Sequence, residues 1–157
     1  RVTGVDVTME LFKVAATHQI PVYCLGAAPG VAQRSVDNLA AQVGELNIAG
    51  IHDGFFDSAE EQEIIKSIAE SKAKLVFVAL GVPKQEQWIA EKLSHLDGVV
   101  AIGIGGSFDV LAGNIPRAPE WMQQNRLEWL YRLYLEPQRI GRMLAIPKFM
   151  WTVIRNK

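Results

Sequence analysis

Four apolar runs recur along the chain: IPVYCLG (20–26), LNIAGIHDG (46–54), AKLVFVALG (73–81) and GVVAIGIGG (98–106), each ending in glycine. None alternates strictly between apolar and polar positions, as expected of strands covered on both faces. The segments between them carry helical spacing. Residues 6–18 offer Met9, Leu11, Phe12, Val14 and Ala15 for burial. Residues 58–72 carry a stripe of Ile64, Ile65 and Ile68, with Ser58 as the expected N-cap and Glu61 three residues on, a capping box. Residues 83–96 present Ile89, Leu93 and Leu96, with Trp88 beside them, and Pro83 suits a first helical turn. Strands alternating with helices of this length predict a Rossmann-like α/β fold, a mostly parallel sheet flanked by helices and joined by right-handed crossovers. Beyond residue 107 no further strand is evident. The expected division is a Rossmann-like domain over 1–118 and a C-terminal helical appendage over 119–157.

A chain of 157 residues, 49% hydrophobic and 21% charged, has enough apolar material for a sizeable core. A single cysteine, Cys24, excludes an internal disulfide and reads as a buried, inert thiol. His18, His52 and His95 are scattered without zinc-ligand spacing, so no metal site is expected. No signal-peptide pattern or apolar run of membrane-spanning length is present. The sequence opens on Arg1 rather than Met, and a further N-terminal portion is expected.

The net charge of −1 hides an asymmetry. Residues 126–157 hold seven Lys/Arg against Glu128 and Glu136, a balance of +5; nine basic and 15 acidic residues, −6, remain for the rest. An acidic body with a basic, aromatic tail suggests a surface that meets something anionic.

Three strand ends carry candidate chemistry, because ligands of open α/β sheets sit at the carboxyl ends of strands. In LGAAPGVAQRS (25–35), Gly26 and Gly30 bracket a turn whose following helix N-terminus suits an anion, or merely connects strand to helix. In GVPKQEQWI (81–89), Lys84, Gln85 and Glu86 stand over the crevice or open a solvated helix. In GIGGSFDVLAG (103–113), Gly103, Gly105 and Gly106 would let backbone approach a ligand, and Phe108 and Asp109 follow directly. Asp109 either caps a helix or accepts a ligand hydroxyl or N–H. Arg117, held between Pro116 and Pro119, suits anionic oxygens.

Taken together, RVTGVD, LGAAPGVA, GVPKQEQWI, GIGGSFDVLAG, RAPEW and LEWLYRLYLEP resemble the WecG/TagA/CpsF family of glycosyltransferases over almost the whole chain. The resemblance implies transfer of a sugar, commonly N-acetylmannosamine, from a UDP donor to a polyprenyl-diphosphate-linked sugar. The products implied are precursors of teichoic acid, common antigen, capsule or exopolysaccharide. It implies inversion at the anomeric carbon, no cofactor besides the donor substrate, and no D-x-D metal site; the sequence contains no D-x-D. On the same basis Gln85 and Glu86 line the UDP-sugar crevice with Gly105, Gly106 and Asp109. The family's proposed catalytic base lies upstream of RVTGVD, outside this sequence. Asp6 belongs to the following helix start, where capping is its expected role.

Trp121, Trp129, Tyr131, Tyr134 and Trp151 share the tail with its excess positive charge, a mixture suited to a bilayer interface or to packing on the body or on another subunit. The resemblance implies that this appendage docks on the inner face of the bacterial cell membrane. It also implies that its arginines, of which Arg132, Arg139 and Arg142 are the candidates, meet the diphosphate. A homo-oligomer is a further expectation. Nucleic acid is a poor partner for an acidic body without a recognition motif. Two rivals stand beside the transferase. A Rossmann oxidoreductase requires a G-x-G-x-x-G turn that the first strand end lacks. A non-catalytic nucleotide-sugar or membrane-binding module predicts binding without turnover.

Overall fold

Helix α1 (Gly4–His18) begins where Thr3 supplies a cap. Its hydroxyl oxygen accepts from the Asp6 N–H at 3.3 Å and its O–H donates to the Asp6 carboxylate at 2.7 Å. Asp6 therefore serves the helix start, where a carboxylate also suits the dipole. Val5, Thr8, Phe12, Ala15 and Ala16 form the buried face. Val14, expected inside, is 47% exposed, because it falls on the opposite side of the helix from Phe12. The computed structural model describes residues 3–125, 127–135, 137 and 155. The chain divides into two compact units, Arg1–Ile115 and Pro116–Lys157.

In the first unit α1 leads to β1 (Val22–Gly26), α2 (Val31–Val43), β2 (Ile48–His52), α3 (Ser58–Glu70), β3 (Leu75–Ala79) and α4 (Lys84–Trp88). A π-helical turn (Ile89–Leu93), β4 (Val100–Gly103) and α5 (Ser107–Leu111) complete it. The four strands pair in parallel in the order β2-β1-β3-β4. This is the α/β architecture that the alternating pattern predicts. Central β1 and β3 are buried throughout, whereas β2 and β4, at the edges of this sheet, are more exposed.

Successive strand residues point to opposite faces and so divide between two cores. Val22, Cys24, Leu75 and Phe77 pack with α1, α2 and α5, where Phe12 stacks on Phe77 at 4.5 Å. Tyr23, Leu25, Val76 and Val78 pack with Ile64 and Ile68 of α3 and with Trp88 and Leu93. Cys24 lies in the first core, fully buried, and burial pushes its thiol far above the ordinary cysteine range. It is therefore a neutral packing group.

Two local expectations are corrected. The cap of α3 is Asp57 rather than Ser58: its carboxylate accepts from the Ala59 and Glu60 N–H groups while Glu60 returns a bond to the Asp57 N–H. A single oxygen, Asp57 Oδ1, takes both N–H groups, and with Glu60 closing the box Glu61 is left for a distant partner. Residues 83–96 are not one α-helix, since α4 ends at Trp88 and passes into the π turn. Leu93 is buried there, while Ile89 and Leu96 are half-buried.

The second unit contains α6 (Glu120–Gln124) and α7 (Glu128–Leu135). Trp121, Trp129, Leu130, Tyr134 and Leu135 are exposed large apolar side chains, with Tyr134 at 80%. Among the described residues no helix is long and apolar enough to cross a membrane.

Candidate functional site

The chain leaves β1 toward one face of the sheet and β3 toward the other. Helix α2 after β1 joins the α1/α5 layer, while α4 after β3 joins the α3 layer. Because β1 and β3 are neighbours, their connections diverge and open a crevice at their carboxyl ends, the switch point of an open α/β sheet.

Backbone hydrogen bonds tie the surrounding turns together. Ala27 N–H donates to the Ala79 carbonyl at 3.0 Å, joining the ends of β1 and β3, and Gly54 N–H donates to the Ala27 carbonyl at 2.8 Å. Gly26 is required at this junction: its φ is +121°, and an added Cβ would sit 2.5 Å from the Ala79 carbonyl oxygen. Gly30, in the left-handed region, is the N-cap of α2 without a side-chain cap. The Val82–Pro83 peptide at the end of β3 is cis.

Gln85 joins the third turn to the second. It is 2% exposed; its Oε1 accepts from the Gly105 N–H at 3.0 Å and its Nε2 donates to Glu86 Oε1 at 2.8 Å. The sequence placed Gln85 on the crevice wall; the structure makes it a buried brace between the β3 and β4 turns. Gly103, expected to approach a ligand, instead makes room for this amide, since a Cβ there would lie 2.5 Å from Gln85 Nε2. Glu86 is exposed beside it, and Gly105 and Gly106 are half-buried at the mouth of α5. Phe108 is fully buried and its ring belongs to the α1/α2/α5 core, so a ligand has no access to its side chain.

Asp109 is half-buried and heads a polar line that the sequence did not signal. Its Oδ1 accepts from Asn114 Nδ2 at 3.4 Å, and Asn114 Oδ1 accepts from Arg34 Nη2 at 3.2 Å. Arg34 Nη1 in turn comes within 3.3 Å of where a Gly30 Cβ would stand. A guanidinium, a carboxylate and the turn after β1 thus share one rim of the crevice. The other rim is aromatic: Lys84 Nζ lies 5.5 Å above the Phe56 ring, and Phe56 meets His52 and Trp88 edge-on. Behind it, Trp88 Nε1–H donates to Glu61 Oε1 at 2.8 Å and Lys92 Nζ to Glu61 Oε2 at 2.9 Å. The Lys92 ammonium and the indole N–H hold the Glu61 carboxyl below the usual glutamate range, and Glu61 holds Lys92 above the usual lysine range. A separate cavity of about 610 Å³ runs between β2 and α3, lined in part by Tyr23, His52, Glu63 and Ser67.

Arg117 is exposed in the second unit. Arg132 lies on α7, and Arg139 and Arg142 fall outside the described residues. Arg34, Asn114 and Glu61 escaped the sequence because their partners are 80, 5 and 27 residues away and only folding selects them.

An open parallel α/β sheet with glycine-rich turns gathered at its switch point is the architecture in which ligands, where they bind, sit across the strand ends. The chain belongs to the glycosyl transferase WecG/TagA/CpsF family, whose description matches residues 1–157. It is 40% identical over 157 residues to the N-acetylglucosaminyldiphosphoundecaprenol N-acetyl-beta-D-mannosaminyltransferase of Bacillus subtilis (strain 168), covering all of this chain and 60% of that protein. The protein of the same name from Bacillus spizizenii is 39% identical over 158 residues, with 60% covered. That of Staphylococcus aureus (strain NCTC 8325 / PS 47) is 33% identical over 157 residues, with 61% covered. The chain therefore spans about 60% of the length of these curated relatives.

Proposed function

We propose that this chain forms the nucleotide-sugar part of a glycosyltransferase. It moves N-acetylmannosamine or a related hexose from UDP to a polyprenyl-diphosphate-linked sugar in cell-surface polysaccharide synthesis. What carries this proposal is the convergence of the β1, β3 and β4 turns on one crevice, braced by Gln85, in a chain matched to the family over its whole length. The relatives' names supply the sugar and the diphosphoundecaprenol acceptor.

In the proposed reaction an acceptor hydroxyl oxygen attacks the anomeric carbon of the donor sugar. The bond from that carbon to the UDP oxygen breaks, the hydroxyl proton passes to a base, and UDP leaves with negative charge growing on its phosphate. Hydrogen-bond donors aimed at that charge would lower the barrier. Arg117, Arg132, Arg139 and Arg142 are the proposed guanidinium donors, and the glycine turns at 26–30 and 105–106 offer close backbone approach. The exposed Trp129, Leu130 and Tyr134 of α7 support docking of the second unit on the inner face of the membrane, where a polyprenyl acceptor resides.

The test is UDP release by the intact protein across a panel of UDP-sugars, with and without a polyprenyl-diphosphate-GlcNAc analogue. Acceptor-dependent release from UDP-N-acetylmannosamine is expected. Release from no pair, by protein shown to be folded, would overturn the transferase in favour of a binding module.

A further inference from the structure

Helix α4 has five residues, too few to set its own orientation, because short helices in water are held by tertiary contacts rather than by propensity. Its exposed side chains are Lys84, Glu86 and Gln87; its buried ones are Gln85 and Trp88, three apart and hence on one face. Trp88 is fixed at both ends. Its ring meets Phe56, and its N–H donates to Glu61 on α3. The other carboxylate oxygen of Glu61 takes Lys92 from the π turn that follows. One carboxylate thus grips the helical segment at two points four residues apart. The first grip, Trp88, ends α4 and the second, Lys92, lies within the π turn, and such turns are frequent at functional sites. At the other end of α4, Gln85 reaches the Gly105 N–H.

We propose that Glu61 is a positioning residue for the crevice: through Trp88 and Lys92 it sets the angle of α4, and so holds Gln85 against Gly105. This rests on the crevice being the UDP-sugar site, but its first readout needs no ligand. Amide hydrogen exchange of Gly105 reports the Gln85 bond directly, and the Ala27 amide, bonded to the Ala79 carbonyl, serves as an internal reference. In the intact protein, Glu61→Ala and Gln85→Ala are each expected to speed Gly105 exchange at least tenfold and to leave Ala27 unchanged. Trp88→Phe, which keeps an aromatic ring but removes the pyrrole with its N–H donor, is expected to act in the same direction and serves if Glu61→Ala does not fold. Unchanged Gly105 exchange in a folded Glu61→Ala or Trp88→Phe protein would overturn the proposal.

Calorimetric titration with UDP is the second readout. Weakened binding in Glu61→Ala, with the Glu61→Ala/Gln85→Ala double variant no weaker than Gln85→Ala alone, would place both residues on one path. Losses that multiply would show Glu61 acting independently and overturn the proposal. If Gly105 exchange responds as stated but the unaltered protein binds no UDP, the positioning stands and the nucleotide-sugar assignment fails.

Discussion

A methyl group on Gly103 would meet the Gln85 amide nitrogen at 2.5 Å, and one on Gly26 would meet the Ala79 carbonyl oxygen at the same distance. The two clashes differ in kind. At Gly103 the obstacle is a side chain, so Gly103→Ala would expel Gln85 from its brace. At Gly26 the obstacle is backbone, and φ is +121°, so neither neighbour nor residue has room to yield. Gly103→Ala is expected to lower unfolding stability by about 1–3 kcal/mol, the range for overpacking, and to free the Gly105 amide. Gly26→Ala is expected to cost more. Urea denaturation orders the two; a smaller loss at Gly26 would show that the β1–β3 junction relaxes more easily than its geometry implies.

At the level of elements, the Glu61–Lys92 pair joins α3 to the π turn after α4, and its contribution depends on pH with a definite sign. The folded state depresses Glu61, so that part of the stability is present above the ordinary glutamate value of 4.5 and is lost as pH falls through the folded value. The folded state raises Lys92, so that part is present below the ordinary lysine value of 10.5 and is lost as pH rises through its folded value. Between those limits the pair is intact. Lys92→Met keeps most of the stem and removes the charge. Its deficit in Tm is expected to be constant from about pH 5 to 10 and to shrink on the acid side, as Glu61 protonates, and on the alkaline side. Added salt should shrink it too, since the pair is partly open to solvent. A deficit independent of pH would assign the Lys92 contribution to its stem rather than its charge.

Across the whole molecule, the acidic body and the basic, aromatic tail are expected to do different work. Trp129→Ala/Tyr134→Ala removes rings from α7 that stand 49% and 80% exposed and that belong to neither core cluster among the described residues. Liposome binding to anionic vesicles should fall several-fold with Tm unchanged. Arg132→Ala and Arg139→Ala should instead lower kcat more than UDP affinity, because charge on the leaving diphosphate grows toward the transition state. Unchanged turnover in both arginine variants would remove the tail from the chemistry.

The sequence by itself determined the layered α/β fold, because strand and helix periods are local and four glycine-ended apolar runs leave few other arrangements. It also carried the motifs that mark the family. Only the tertiary structure decided what the individual side chains do. Gln85 stands at a strand end, as the motif indicated, yet its amide is turned inward to Gly105. Phe108 follows a glycine-rich turn, yet its ring fills the core. Glu61 has a sequence context that suits a capping box, yet Asp57 and Glu60 satisfy the cap and leave Glu61 to Trp88 and Lys92, 27 and 31 residues on. Such choices depend on which polar groups meet when three loops converge, and every buried donor and acceptor there must find a partner among whatever the fold brings near.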